Sequence, residues 1–224
     1  MTARLLAALA LLLLPAAGQA ADRRVPVDPN TRPWNAVAKV QSNIGEHCSG
    51  VLIAPAAVLT AAHCLFNPRT RAMLQPLSLH VLFGFERDRY RFHRLVRRYT
   101  LGAGFDGRKG GPQPGDWARL DLAAPVPLTP LPLAGQVPAA GTAAALAGYN
   151  QDRAQLLLAD LGCGVLRVAP LPARGAFLIH DCEGTYGTSG GPLLVHEGGH
   201  WAVAAIAIAA GRGENLALAP PSLN

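Results

Sequence analysis

Three residues far apart in this 224-residue chain could together activate a hydroxyl. Ser189 lies in Gly187-Thr188-Ser189-Gly190-Gly191-Pro192-Leu193-Leu194, a small hydroxyl residue set among glycines ahead of an apolar run. Glycine lets the backbone come close to a reacting carbonyl and turns N–H groups toward it. Serine at its ordinary pKa is a poor nucleophile and needs a base. Leu59-Thr60-Ala61-Ala62-His63-Cys64 supplies an imidazole, and Gly115-Asp116-Trp117-Ala118-Arg119-Leu120 supplies a carboxylate at the head of an apolar run. An imidazole oriented by a carboxylate can take the proton of a hydroxyl. The order along the chain is His63, Asp116, Ser189.

These blocks resemble those of trypsin-like (chymotrypsin-fold) serine proteases. Cys48-Ser49-Gly50-Val51-Leu52-Ile53, with Val58 to Cys64, is similar to the family's histidine block, and Gly187 to Pro192 is similar to its serine block. The likeness runs from about Trp34 to the C-terminus and is nearer the bacterial branch that includes the glutamyl endopeptidases than the animal digestive enzymes. It implies Ser189 as nucleophile, His63 as general base and then acid, and Asp116 as the group that orients His63. Asp106 and Asp121 are the rivals for the last role; Asp116 is preferred because an apolar strand follows it directly. The resemblance also implies an oxyanion hole made of the Gly187 and Ser189 backbone N–H groups. Four cysteines allow three pairings. The resemblance implies Cys48 with Cys64, which leaves Cys163 with Cys182. A zinc site is the competing use of these cysteines, and neither C-x-x-C spacing nor a clustered histidine pair supports one.

Substrate selection is expected to rest on Glu183, Ala207 and Ala209. By count, Glu183 falls at the base of the family's pocket for the side chain preceding the cut bond. The pocket wall is expected from Ala205 to Gly211. Ile206 stands where the glutamyl-specific branch uses a histidine, which disfavours glutamate. Ala209 in place of a glycine points to small or medium apolar side chains. Ala207 stands where many relatives place a serine beside the triad aspartate. Thr188 stands where the animal enzymes carry an acid that pairs with a newly cut N-terminus, so no such insertion switch is expected.

The elements that must position these groups are short strands. No stretch shows sustained helical periodicity with caps, and strand-like runs alternate with turn signals. Ala61 to Leu65 reads as a short helical turn that presents His63. Asp22 to Pro33 reads as an extended lead-in, and Leu101 to Gly115 as a long loop ahead of Asp116. Ala123 to Pro138 is rich in proline and is the best linker candidate. His196 and His200 bracket Gly198-Gly199 and read as the flanks of a hairpin turn. Short strand-like runs of this kind argue for an all-β barrel or sandwich, and the resemblance implies two six-stranded antiparallel β-barrels with the active site in the cleft between them. The expected division is a signal peptide at 1–20, a barrel at 21–122 carrying His63 and Asp116, a linker at 123–138 and a barrel at 139–224 carrying Ser189.

Composition sets the surroundings. Half the residues are apolar, enough for a sizeable core. Residues Met1 to Ala20 carry Arg4, an apolar run from Leu5 to Leu14, and Gly18-Gln19-Ala20, which reads as a signal peptide cut after Ala20 or Ala21. That run of roughly ten residues is too short for the ~20 of a spanning helix, so stable membrane insertion is not expected. The expected location is therefore secreted or periplasmic, where disulfides persist. The net charge of +6 speaks to anionic neighbours rather than to fold. Its densest patch, Arg87 to Arg98, reads as a solvated strand face, and no nucleic-acid module surrounds it.

The function expected is a secreted or periplasmic serine endopeptidase working through an acyl-enzyme on protein or peptide substrates. No cofactor or metal is implied, and the sequence sets no oligomeric state. Gly187-x-Ser189-x-Gly191 also matches the nucleophile elbow of α/β-hydrolases. That fold needs its acid and histidine after the serine, together with alternating helices, but only about 35 residues follow Ser189 and the helices are missing. The alternative from another class is a non-catalytic or weakly active binding protein on the protease scaffold.

Overall fold

A computed structural model describes residues 22–172, 175–211 and 213–219. The leader reading of residues 1–20 lies outside the described residues. Fifteen strands and four short 3-10 turns make up the described chain. They are β1 (Arg24–Pro26), β2 (Val37–Ser42), β3 (His47–Ala54), β4 (Ala57–Thr60), β5 (Phe66–Asn67), β6 (Ala72–Met73), β7 (Leu79–Phe83), β8 (Phe92–Leu101), β9 (Ala118–Leu122), β10 (Ala143–Gly148), β11 (Leu158–Pro170), β12 (Ala176–His180), β13 (Pro192–Glu197), β14 (His200–Ala209) and β15 (Asn215–Ala219). No helix among the described residues is long and apolar enough to cross a membrane.

Two closed six-stranded antiparallel barrels result. The first closes in the order β2-β3-β4-β9-β8-β7, with β2 pairing back onto β7. The second runs β11-β10-β13-β14-β15-β12 and closes through β11 against β12. Full closure leaves no unpaired backbone edge in either barrel. The first is packed with large side chains. Leu52, Leu59, Leu79, Phe83 and Leu120 are all without solvent exposure. Burying a side chain of this size contributes about 1.5–3 kcal/mol. The interior of the second is built largely from alanine, including Ala144, Ala176, Ala204, Ala205, Ala217 and Ala219. Tyr149, Phe85, Val37 and Leu157 form a third buried cluster that joins the barrels.

Residues 123–138 connect the two. The segment is not a loose tether. Val126 and Leu131 are buried, and their N–H groups donate to Pro55 and Leu52 carbonyls of the first barrel. Leu133 then bridges to Val203 of the second.

Two elements differ from the sequence reading. Arg24–Pro26, read as part of a lead-in to the first barrel, is a strand on the outside of the second, with Arg24 opposite Asp160 and Pro26 opposite Leu158. Pro26 lacks an N–H, which an edge strand tolerates. Ala154 to Ala159 and Gly164 to Val168, read as two strands, are mostly one thirteen-residue strand, β11. This strand is paired to β10 along its first part and to β12 along its second, and the pairing carries it through Gly162 and Gly164.

Candidate active site

His63 is presented by the 3-10 turn Ala62–Leu65, which follows directly on β4. Ala61, Ala62 and Leu65 are fully buried, so the turn is anchored from beneath. The Cys48–Cys64 disulfide, with Cα atoms 6.1 Å apart, ties the turn to β3. The imidazole is left 38% exposed at its side chain.

Asp116 holds this turn twice. Its Oδ1 accepts the His63 backbone N–H at 2.8 Å and its Oδ2 lies 2.8 Å from His63 Nδ1. The carboxylate can only accept, so Nδ1 carries a hydrogen, and in the neutral ring that leaves the lone pair on Nε2. Asp116 is buried, at the end of the loop that leads into β9. The two rival aspartates are engaged elsewhere. Asp121 pairs with Arg98 and Arg119, and Asp106 accepts the Arg108 N–H.

Ser189 comes from the second barrel, at the end of the loop between β12 and β13. Contacts across both barrels fix that loop. The Ser49 N–H of β3 donates to the Ser189 carbonyl at 2.8 Å. The Ser49 hydroxyl donates to the Gly187 carbonyl and accepts the Tyr149 N–H, each at 2.8 Å. The Gly190 N–H donates to Ala207 of β14 at 2.7 Å. Two glycines are needed here. Gly187 has φ +90°, and a Cβ would lie 2.4 Å from the Tyr149 carbonyl oxygen. Gly190 has φ +78°, and a Cβ would lie 2.3 Å from the Ser49 carbonyl oxygen. Both conformations disfavour any side chain.

Among the described residues, neither the Gly187 N–H nor the Ser189 N–H donates to an acceptor. Two backbone donors left open beside a serine are the arrangement that can receive a developing oxyanion. Likewise, neither the Ser189 hydroxyl nor His63 Nε2 has a hydrogen-bond partner among the described residues. In ligand-free sites such bonds are often long and tighten only with substrate. His63, Asp116 and Ser189 all line one cleft of about 680 Å³, shared between the barrels.

Ala207 and Ala209 line the same cleft. Glu183 is not among its lining residues. Its carboxylate accepts the Arg23 backbone N–H at 2.7 Å, and its own N–H donates to Asp160. Thr188 is buried, and its hydroxyl donates to Asn150 Oδ1 at 2.6 Å. The Arg24 guanidinium donates to the same oxygen at 2.8 Å and to Asp152. Arg23 pairs with Asp160, which has no solvent exposure. Burial pushes the Asp160 carboxyl up, but Arg23 and the Glu183 and Gly162 N–H groups outweigh it and hold it below the usual range. The N-terminal strand is thus tied to the loop that carries Ser189.

The second disulfide joins Cys163 and Cys182, with Cα atoms 4.8 Å apart. Cys48–Cys64 is the pair that the resemblance implied, and Cys163–Cys182 is the pair that it left over. The His63 ring lies beside Cys48 and Cys64, but their sulfurs are spent on each other and offer no thiolate to a metal.

Sequence reasoning missed three positioning groups. Ser49 lay inside the quoted histidine block, but nothing in the pattern tells that its hydroxyl faces Gly187. Asn150 and Arg24 carry no motif. A fourth residue, His180, also lines the cleft and was not singled out.

Comparison with known proteins agrees with this architecture. A solved structure of a Glu endopeptidase in complex with MPD superposes with a TM-score of 0.73, over 90% of this chain and 92% of that one, at 18% identity. At that identity the likeness speaks for the fold alone. The family model described as Trypsin matches residues 23–220. That span holds every described strand and all three residues of the His63–Asp116–Ser189 set, and the chain belongs to the trypsin family.

Proposed function

We propose that this protein is a serine endopeptidase that hydrolyses peptide bonds through an acyl-enzyme on Ser189. The observation that carries the reading is the double hold of Asp116 on His63 in a cleft that also contains Ser189 and two open N–H donors. His63 Nε2 takes the Ser189 proton as the oxygen attacks the substrate carbonyl carbon. The negative oxygen forms opposite the Gly187 and Ser189 N–H groups. His63, now an imidazolium held by Asp116, gives its proton to the leaving amine as the C–N bond breaks. Water, deprotonated by His63, then cleaves the acyl ester and restores Ser189. Protein or peptide is the substrate class. Residues 1–20 and the two disulfides support export to an oxidising compartment.

The test is covalent labelling by a fluorophosphonate together with hydrolysis of unfolded protein. Wild type should label at Ser189 and degrade casein. Ser189→Ala should lose both, with turnover down by roughly 10⁶. Labelling that survives Ser189→Ala would place the nucleophile elsewhere. A folded wild type that neither labels nor cleaves would return the binding-protein alternative to first place.

A further inference from the structure

One polar group in the cleft has no part in the proposed chemistry. His180 ends β12, is without solvent exposure and lines the cleft with Ala207, Ala209 and Asn215. Its Nδ1 accepts the Cys182 N–H at 3.2 Å. A neutral imidazole that accepts at Nδ1 carries its hydrogen on Nε2. Burial keeps the ring neutral: it pushes the pKa down to about 4, against the opposing pull of Asp181 and Asp160. Yet Nε2 is buried with no partner among the described residues. Buried donors are nearly always paired, and an orphan beside a cavity marks where a ligand can bring an acceptor.

The neighbouring polar groups are already used. Asn215 donates to the Cys182 carbonyl and accepts the Gly211 N–H. The Thr188 hydroxyl donates to Asn150. The acceptor that arrives should be uncharged. The Asp181 and Asp160 carboxylates lie near enough to the His180 ring to act on its charge. Among the described residues, Lys109 is the one lysine or arginine lining the cleft, and it is exposed on the loop ahead of Asp116. A carboxylate would shed its water beside these acids against a neutral donor, which is costly. A carboxamide oxygen satisfies the same N–H without that charge.

We infer that His180 is a specificity residue. Its Nε2–H donates to the side-chain carbonyl of the residue preceding the cut bond, so glutamine or asparagine is preferred over glutamate and over apolar side chains. This deepens the endopeptidase reading and rests on it. It also replaces the apolar preference expected from Ala209, since alanine walls leave room for a long side chain to reach a polar floor.

The experiment is a set of peptides differing only at that residue: Gln, Asn, Glu, Met and Leu. The better amide should exceed Met, Leu and Glu in kcat/KM by about 10–100-fold, the range of an unmet buried donor. His180→Leu should bring the amide-to-Met ratio close to one while fluorophosphonate labelling of Ser189 continues. Met, Leu or Glu matching the amides in wild type would overturn the inference, whether or not the variant folds. The same peptides titrated calorimetrically into Ser189→Ala read the preference without turnover. Preferential amide binding there, with no hydrolysis by wild type, would keep His180's role and sink the endopeptidase reading. Hydrolysis with no amide preference would do the reverse.

Discussion

The two walls of the cleft are held in different ways. The His63 wall is self-contained. Its imidazole and carboxylate both come from the first barrel, and the turn below sits on Ala61, Ala62 and Leu65. The Ser189 wall is not. Its barrel is filled with alanines, which bury little area each, and the loop that carries the serine is fixed by Ser49 of the first barrel, by Asn150, and through Asn150 by Arg24 of the N-terminal strand. A rigid apolar base can hold a base–acid pair by packing. A glycine-rich loop with open N–H groups must be held by hydrogen bonds at its other atoms, because the unpaired donors contribute no bond of their own.

The sharpest way to test the contrast is to remove chemistry from each wall and ask whether stability follows. Asp116→Asn keeps the shape but offers an amide to His63 Nδ1, so the ring is no longer held in the tautomer with Nε2 free. Turnover should fall by about 10⁴. Because the first wall is supported from beneath, the melting temperature should move by only a few degrees. Turnover within tenfold of wild type would show that Asp116 does not orient the base.

Ser49→Ala tests the other wall. It leaves the Ser49 N–H on the Ser189 carbonyl but strips the Gly187 carbonyl and the Tyr149 N–H of their shared partner. Both are buried, and each unpaired group costs about 1–3 kcal/mol. Stability and turnover should fall together: about 2–4 kcal/mol in chemical denaturation and roughly 10–100-fold in kcat, with KM little changed. A variant that loses stability but keeps kcat would mean that the open N–H donors do not depend on Ser49, and the contrast between the walls would fail.

Much of this was legible in the sequence, for physical reasons. Glycines at 187 and 190 announce backbone that no side chain tolerates, and both have positive φ. The alternating short runs with turn signals show strands because strand period and turn chemistry are local properties, while the count of two six-stranded barrels came from the family resemblance. His63 on a short turn and the His196–His200 hairpin, where Glu197 opposes His200, are equally local. What escaped depends on partners distant in the chain. Arg24 meets Asn150 and Asp152 across more than a hundred residues, and a three-residue strand carrying a proline has no periodicity to reveal it. His180 stands nine residues before Ser189 in no motif, and becomes visible as an orphaned donor only when Cys182 and the cleft close around it. Counting placed Glu183 at the pocket, but Arg23 and Asp160 turn that residue to their own use. Residue count along a loop does not fix side-chain direction when a neighbouring segment supplies ligands.

The smallest effect is expected at the N-terminus. The loop holding Ser189 is tied to the N-terminal strand, but through side chains and a backbone amide: Arg24 on Asn150 and Asp152, Arg23 on Asp160, and the Arg23 N–H on Glu183. Thr188 meets Asn150 as one neutral group meeting another. None of these contacts needs the positive charge of a free terminal amine. Extending the protein by a few residues ahead of Asp22 keeps Arg23, Arg24 and their partners, and should leave kcat/KM within about twofold, since a surface extension touches no buried group. Deleting through Arg24 removes the ties themselves and should lower both stability and turnover. If the extension alone abolished activity, a free amine would be required, and the neutral Thr188–Asn150 contact could not be what holds the second wall.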